Sequence, residues 1–201
     1  MLAGKWAQRF WPSIAVLLMA GVIICHAQAP AAKLHLLDLA NRQVEPLQAT
    51  DAKAVVFFFV SADCPISNRY APEVRRLGER YARSGVTFWL VYPDPDTSIE
   101  TIRQHLKDYE YSIGALRDPR HELVKMAGVR VTPEAAVFVF KGSGRRVAYR
   151  GRIDNRHVAF GKTRSAPTTR DVERVLEMIV AGKPVASTTT RAIGCGIPDL
   201  Q

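Results

Sequence analysis

Seven consecutive apolar residues, Ala54 to Val60, rich in Val and Phe, predict a strand buried on both faces, because a half-solvated strand would alternate with polar positions. Ile66, Tyr70, Val74, Leu77 and Tyr81 then recur at spacings of 4, 4, 3 and 4, which is one face of a helix. Gly85 closes that pattern, and Val86 to Tyr92 reads as a second buried strand. Two buried strands on either side of one helix imply a right-handed parallel crossover. Pro93-Asp94-Pro95-Asp96 breaks the chain, and Thr97-Ser98-Ile99-Glu100 has the capping-box pattern of a helix running to about Lys107.

Asp118 and Pro119 at one end and Gly128 at the other bracket a further helix. Val131 to Phe140 follows, apolar from Ala135 onward, then Lys141 to Gly144 reads as a hairpin turn and Arg146 to Ile153 as the returning strand. A last helix carries the stripe Val172, Val175, Leu176, Ile179 and Val180, with Thr168 and Asp171 as its expected capping box and Gly182 as its exit. Before the central strand, Leu34, Leu36, Leu37, Val44 and Leu47 point to short strands about an Asn41-Arg42 turn. From Lys183 onward the chain is too polar and broken to make a core element. The alternation of strands and helices predicts an α/β fold.

The first residues follow a different pattern. Lys5 and Arg9 precede an apolar run from Ile14 to Cys25, and small residues follow at Ala27 and Ala29, the layout of a secretory signal peptide over residues 1–27. Twelve apolar residues are short for a membrane span, so cleavage near Ala27 is favoured over an uncleaved tether. A lipoprotein site at Cys25 is weaker, since Ile24 stands where a small residue is wanted. The remaining composition, 47% hydrophobic and 23% charged over 201 residues, suits one domain with a real core. Losing Lys5 and Arg9 lowers the formal charge from +9 to +7. The basic residues are scattered, with no aromatic–basic array or groove-reading motif, which excludes a nucleic-acid binder. They make a solvated surface suited to an anionic membrane face or an acidic partner.

Cys64 stands where the central strand hands over to a helix N-terminus, and unpaired amides and the helix dipole there favour a thiolate. A lone cysteine is commonly a small buried hydrophobe, but polar Asp63, Ser67 and Asn68 beside it argue for access. Ser67 can cap the helix or donate to the Cys64 thiolate. Pro133 before a strand is, in the plainest reading, a turn residue. After cleavage the cysteines are Cys64 and Cys195, the latter between Gly194 and Gly196. An exported chain permits their pairing, though a fixed staple of the tail or a bridge between two tails would serve the same chemistry.

Three features resemble the thioredoxin-like superfamily, and in particular its redoxin branch, the alkyl hydroperoxide reductase and thiol-specific antioxidant family. They are Cys64-Pro65-x-x after a hydrophobic strand, Pro72 eight positions after the cysteine, and Val131-Thr132-Pro133 before the strand Ala135 to Phe140. The resemblance covers residues 33–182, leaving 183–201 as a C-terminal tail. It implies a thioredoxin-like fold with a central mixed β-sheet flanked by helices. It also implies a kink near Pro72 and a cis Pro133 that turns the Thr132 backbone toward Cys64, open to an extended peptide. The second cysteine of the family's Cys-x-x-Cys pair is Ser67 here, so a dithiol within the motif is impossible.

The implied activity is that of an exported thiol–disulfide oxidoreductase. Cys64 is the nucleophile, Cys195 the resolving thiol, and Ser67, Thr132 and Pro133 position the substrate. Its partners are a thiol or disulfide substrate and an external reductant. Peroxiredoxins carry Pro-x-x-x-Thr-x-x-Cys, against which this chain has Ser61 and Phe57, with Arg130 and Arg150 as the arginines available. A hydroperoxide reductase is therefore one alternative, and a non-catalytic binding module on the same scaffold is another. Copper carriage within the superfamily would need a second cysteine near Cys64 besides His157. The histidines at 35, 105, 121 and 157 fall on different elements and read as solvated or structural, so neither metal nor cofactor is expected.

Overall fold

The structure is a computed structural model that describes residues 34–48, 51–141 and 144–200. The expected signal peptide and Cys25 lie outside the described residues. The chain opens with β1 (Leu36–Leu37) and β2 (Gln43–Val44), antiparallel about a turn in which Asn41 has a positive φ of 58°. A short 3-10 turn over Pro46–Gln48 leads to β3 (Ala54–Phe59), where all six residues are fully buried. Then come α1 (Pro65–Arg69), α2 (Ala71–Tyr81), β4 (Val86–Tyr92), α3 (Ile99–Asp108), β5 (Gly114–Arg117) and α4 (Glu122–Ala127). After β6 (Val131–Thr132), β7 (Glu134–Lys141) and β8 (Gly144–Gly151) form the expected hairpin. β9 (His157–Ala159) and β10 (Lys162–Thr163) make a small ribbon before α5 (Asp171–Val180), and the tail adds β11 (Thr188–Thr189) and β12 (Cys195–Gly196).

Eight strands form one mixed sheet in the order β11-β8-β7-β3-β4-β5-β1-β2. β3, β4 and β5 run parallel, β7 antiparallel to β3, and β11 parallel to β8. The uninterrupted apolar run of β3 now has its explanation, because each face packs against helices. Val56 and Phe58 join Val74 and Leu77 of α2 with Val172 and Leu176 of α5, while Val55, Phe57 and Phe59 join Leu123 and Val124 of α4. Such a two-sided strand needs no polar positions, and each buried Phe contributes roughly 1.5–3 kcal/mol.

Several local expectations change. The stripe from Ile66 to Tyr81 is carried by two helices rather than one, and the kink expected near Pro72 is a full break at Tyr70. Pro72 has no N–H for the Asn68 carbonyl, and the Tyr70 N–H closes a tight turn on the Ser67 carbonyl at 3.0 Å. The cap of α3 is Ser98, whose hydroxyl accepts from the Thr101 N–H at 3.0 Å. Thr97 instead donates its hydroxyl to Asp94. α4 starts later than its Asp-Pro signal, at Glu122, yet the Asp118 carboxylate accepts from the Glu122 and Val124 N–H groups at 2.9 Å each. Burial pushes that carboxyl up to about 6.

The capping box of α5 does not form. Asp171 pairs with Arg152 at 2.8 Å, and Thr168 accepts at its hydroxyl from the Asn155 amide. Several elements were not foreseen, the β9–β10 ribbon and the strands of the tail among them. β5 completes the parallel trio, and the tail, expected to stay outside the fold, extends the sheet with β11 and buries Val185 and Ile197.

A cluster of charges ties α2 to α5. Arg76 donates to both Glu73 and Glu173, Arg170 also reaches Glu73, and Arg80 reaches Glu173 at 2.9 Å. Burial works to raise the Glu73 carboxyl, but the hydrogen bonds and charge of Arg76 and Arg170 outweigh it and hold it below the ordinary value. For Glu173 the Arg76 hydrogen bonds dominate, with the same direction.

Candidate active site

Cys64 is the N-cap of α1, at the end of the four-residue loop that leaves β3. That loop is held by its own neighbours. The Cys64 N–H donates to the Ser61 carbonyl at 3.3 Å, and Ser67 accepts at its hydroxyl from the Ser61 N–H at 3.3 Å. Ser67 thus ties the loop rather than capping α1. Asn68 adds a second tie. Its amide donates to the Ala62 carbonyl at 2.9 Å, its oxygen accepts from His105 Nε2 at 2.9 Å, and His105 Nδ1 accepts from the Tyr92 hydroxyl at 2.7 Å.

Burial holds the His105 imidazole below the ordinary histidine value, so the neutral ring that this relay requires is the favoured one. Sequence reasoning left His105 among solvated or structural residues, and the structural half of that reading holds. His121 and His157 are likewise buried, His121 facing the Pro93 carbonyl at 2.8 Å and His157 tilted against the Tyr70 ring. Burial, helped by the charge of Arg69, lowers His157 as well.

Opposite this loop the Thr132–Pro133 peptide bond is cis. The Thr132 carbonyl oxygen lies 3.2 Å from Cys64 Sγ. Cys64 is joined by a disulfide to Cys195, 131 positions further along the chain, with 6.2 Å between their Cα atoms. The strand that brings Cys195 there is β12, antiparallel to β6, with Cys195 opposite Thr132 and Gly196 opposite Val131. Ile197 extends the pairing by donating to the Arg130 carbonyl at 3.4 Å.

Cys64 is only 2% exposed, which corrects the access expected from its polar neighbours. The cover comes from a segment far away in sequence, so no local pattern could announce it. Cys195 keeps partial exposure. The structure therefore brings Cys64, Cys195, Thr132 and Pro133 together, with Ser67 one layer behind.

The tail reaches this place along a defined track. Thr188 and Thr189 pair with Tyr149 and Arg150 of β8, and the Thr190 N–H donates to the Arg150 carbonyl at 3.0 Å. The Tyr149 hydroxyl sits 2.6 Å from Thr190 Oγ1. Gly194 then passes against the cis-proline turn so closely that a Cβ would lie 2.6 Å from the Thr132 carbonyl carbon and 3.1 Å from Pro133 N.

The residues weighed for peroxide chemistry are placed otherwise. Phe57 is a fully buried member of β3, and the Arg150 guanidinium donates to the Gly128 carbonyl and lies 4.0 Å from Glu134.

A model of the Redoxin family matches residues 26–166. The chain belongs to the Redoxin family. The match ends before α5 and the tail, so Cys195 lies beyond it. A comparison with the curated proteins finds no match.

Solved structures share the fold. A hypothetical protein from Sinorhizobium meliloti 1021 is 22% identical with a TM-score of 0.68, covering 85% of this chain and 95% of its own. An uncharacterized conserved protein from Geobacillus kaustophilus is 23% identical with a TM-score of 0.68, covering 82% and 87%. A putative thiol:disulfide interchange protein DsbE from Chlorobium tepidum is 17% identical with a TM-score of 0.53, covering 72% and 91%. This is the thioredoxin-like α/β fold. Family membership and a cysteine pair at the redoxin motif make the chain a thiol-dependent oxidoreductase.

Proposed function

We propose that this redoxin is an exported thiol–disulfide oxidoreductase that cycles between the Cys64–Cys195 disulfide and the dithiol. One observation carries the reading. The tail strand pairs with β6 beside the cis-proline turn and bonds its cysteine to the one in the redoxin motif.

In the reducing direction the Cys64 thiolate attacks a substrate disulfide, forming a mixed disulfide and releasing one substrate thiolate. Cys195, delivered by the tail, then attacks Cys64 Sγ as a thiolate. The second substrate thiolate leaves, and the Cys64–Cys195 bond reforms. The substrate is reduced, the cysteine pair is oxidised, and an external reductant restores the dithiol. With the tail lifted, the β6 edge offers its backbone groups to an extended substrate segment. Thr132 and Pro133 wall the reacting sulfur, and Ser67 holds the Ser61–Cys64 loop behind it.

In this reading residues 1–27 are an export signal, 33–182 the redoxin body and 183–201 the tail that supplies Cys195. No helix among the described residues is long and apolar enough to cross a membrane. Export accords with a disulfide that must persist outside a reducing compartment.

The test is turnover of a disulfide substrate with dithiothreitol as electron source. The native chain turns over repeatedly, Cys64→Ser is inert, and Cys195→Ser, reduced, freed of dithiothreitol and mixed with substrate disulfide, stops as a mixed disulfide on Cys64. A single stoichiometric reaction by the native chain would make it a binding module instead.

A further inference from the structure

A pocket of about 480 Å³ opens between β6, β8 and the tail from Thr189 to Gly194, the residue that precedes Cys195. Three arginines line it, Arg130, Arg150 and Arg191, against the single carboxylate of Glu134. Glu134 is largely committed to its own turn, accepting from the Arg130 N–H at 2.9 Å and the Val131 N–H at 3.4 Å, and burial raises its carboxyl above the ordinary value. Arg130 and Arg191 are exposed, and among the described residues neither is in an ion pair with a carboxylate. The pocket thus carries a surplus of positive charge one residue from Cys195. Phe160, 69% exposed, stands at its rim.

Which sulfur can be attacked follows from burial. Cys64 is sealed and Cys195 is partly exposed, so of the two cysteines Cys195 is the one open to a thiol entering the oxidised protein. The size of that thiol follows from the backbone. The β6 edge is occupied by β12, so an extended polypeptide cannot pair there while the tail is docked, and the opening admits a small molecule.

We propose that the arginine-lined pocket beside Cys195 receives a low-molecular-weight thiol bearing a carboxylate, and that this thiol is the reductant of the Cys64–Cys195 disulfide. Its thiolate attacks Cys195 Sγ, the bond to Cys64 breaks, and Cys64 departs as a thiolate at the start of α1. A second thiolate of the same kind attacks the new mixed disulfide at the small molecule's sulfur. Cys195 is freed as a thiolate and the small-molecule disulfide leaves, so two electrons have passed from two thiols to the protein. The inference rests on the redox-active disulfide proposed above.

The experiment reduces the folded, oxidised protein with 3-mercaptopropionate and with uncharged 2-mercaptoethanol. Rates are expressed per thiolate and divided by those for 2-hydroxyethyl disulfide, which cancels intrinsic nucleophilicity. The expected preference for the anionic thiol is about tenfold at low ionic strength. It should shrink toward parity in molar salt, where the Debye length falls to about 3 Å. Arg191→Gln, at an exposed position, should reduce the preference severalfold and Arg191→Glu should abolish it; the circular dichroism of both variants reports that they fold. A ratio near one at low salt, or one that both Arg191 variants leave intact, overturns the pocket and leaves the redox reading standing. If neither thiol reduces the protein short of unfolding, the redox reading falls and the pocket with it.

Discussion

Replacing Gly194 by alanine tests how Cys195 reaches its partner. The glycine has no unusual backbone angle, so the substitution acts only through space. A Cβ there would stand 2.6 Å from the Thr132 carbonyl carbon, where ordinary contact begins at 3.4 Å. The Thr132 carbonyl oxygen would lie nearer still, so the tail must retreat by at least about 0.8 Å, since neither partner is the free end of a flexible side chain. Carried to the next residue, that retreat widens the Cys64–Cys195 Cα separation from 6.2 Å to about 7 Å, the limit beyond which a disulfide needs backbone movement.

Overpacking of this kind costs about 1–3 kcal/mol. Because the strain is felt by the docked, oxidised tail and not by a released one, the disulfide becomes easier to reduce. For a two-electron couple about 1.4 kcal/mol corresponds to 30 mV, so the midpoint should rise by roughly 20–60 mV. Equilibration of native and Gly194→Ala protein in a series of thiol–disulfide buffers, with quenched alkylation and intact mass, measures it. Equal midpoints would refute the claim that the tail's path past Thr132 sets the stability of the bond. Gly196→Ala is the control, because nothing lies within 4 Å of a Cβ at that position.

Three further outcomes are expected. Arg76→Ala leaves Glu73 and Glu173 buried with only Arg170 and Arg80 beside them, which should cost about 2–3 kcal/mol near neutral pH, less than for a pair losing its only partner. Both carboxyls are held below their ordinary value, so their contribution is complete above the unfolded value of about 4.3 and is lost as pH falls through the lower folded values. Urea unfolding from pH 7 to 3 should accordingly show the variant's deficit closing at the acid end, and a deficit as large at pH 3 as at pH 7 would contradict the role of the cluster. Asn68→Ala removes the tie between the Ala62 carbonyl and His105, which should lower stability by about 1–2 kcal/mol and raise the exchange rate of the loop amides by the same free energy. Stopped-flow oxidation of reduced protein should be slower with hydrogen peroxide than with a disulfide substrate, given Phe57 in the sheet interior and Arg150 engaged elsewhere; a fast peroxide reaction abolished by Ser61→Ala would reverse that order.

The legibility of this chain in its sequence follows the physical origin of each feature. β3 and its helix stripe were readable because burial on both faces leaves an uninterrupted apolar run, and a packed helix leaves a period. The cis Pro133 and the break at Pro72 followed from the resemblance together with the chemistry of proline itself. β5 has only four residues, and β11 and β12 have two each, too few to display any alternation; backbone pairing at an edge holds them, not side-chain pattern. Asn68, Ser67 and His105 support the active-site loop through polar bonds between distant elements, which no periodicity records. Cys64 read as accessible because its neighbours are polar, yet its cover arrives from Cys195, 131 residues away. Gly194 gave a faint signal, a glycine beside a cysteine, that became a reason only once the Thr132 turn was seen against it.

The most direct test of the account is a redox titration of the mature native protein with peptide mapping at each step. The Cys64 and Cys195 peptides should be joined within one chain in oxidising buffer. They should separate together in one two-electron transition, shifting by about 30 mV for each tenfold change in the thiol–disulfide ratio, while circular dichroism shows the protein folded throughout. Thiols that both stay free under oxidising conditions, bridges between chains, or a bond that opens only as the protein unfolds would contradict the claim that Cys195 resolves Cys64.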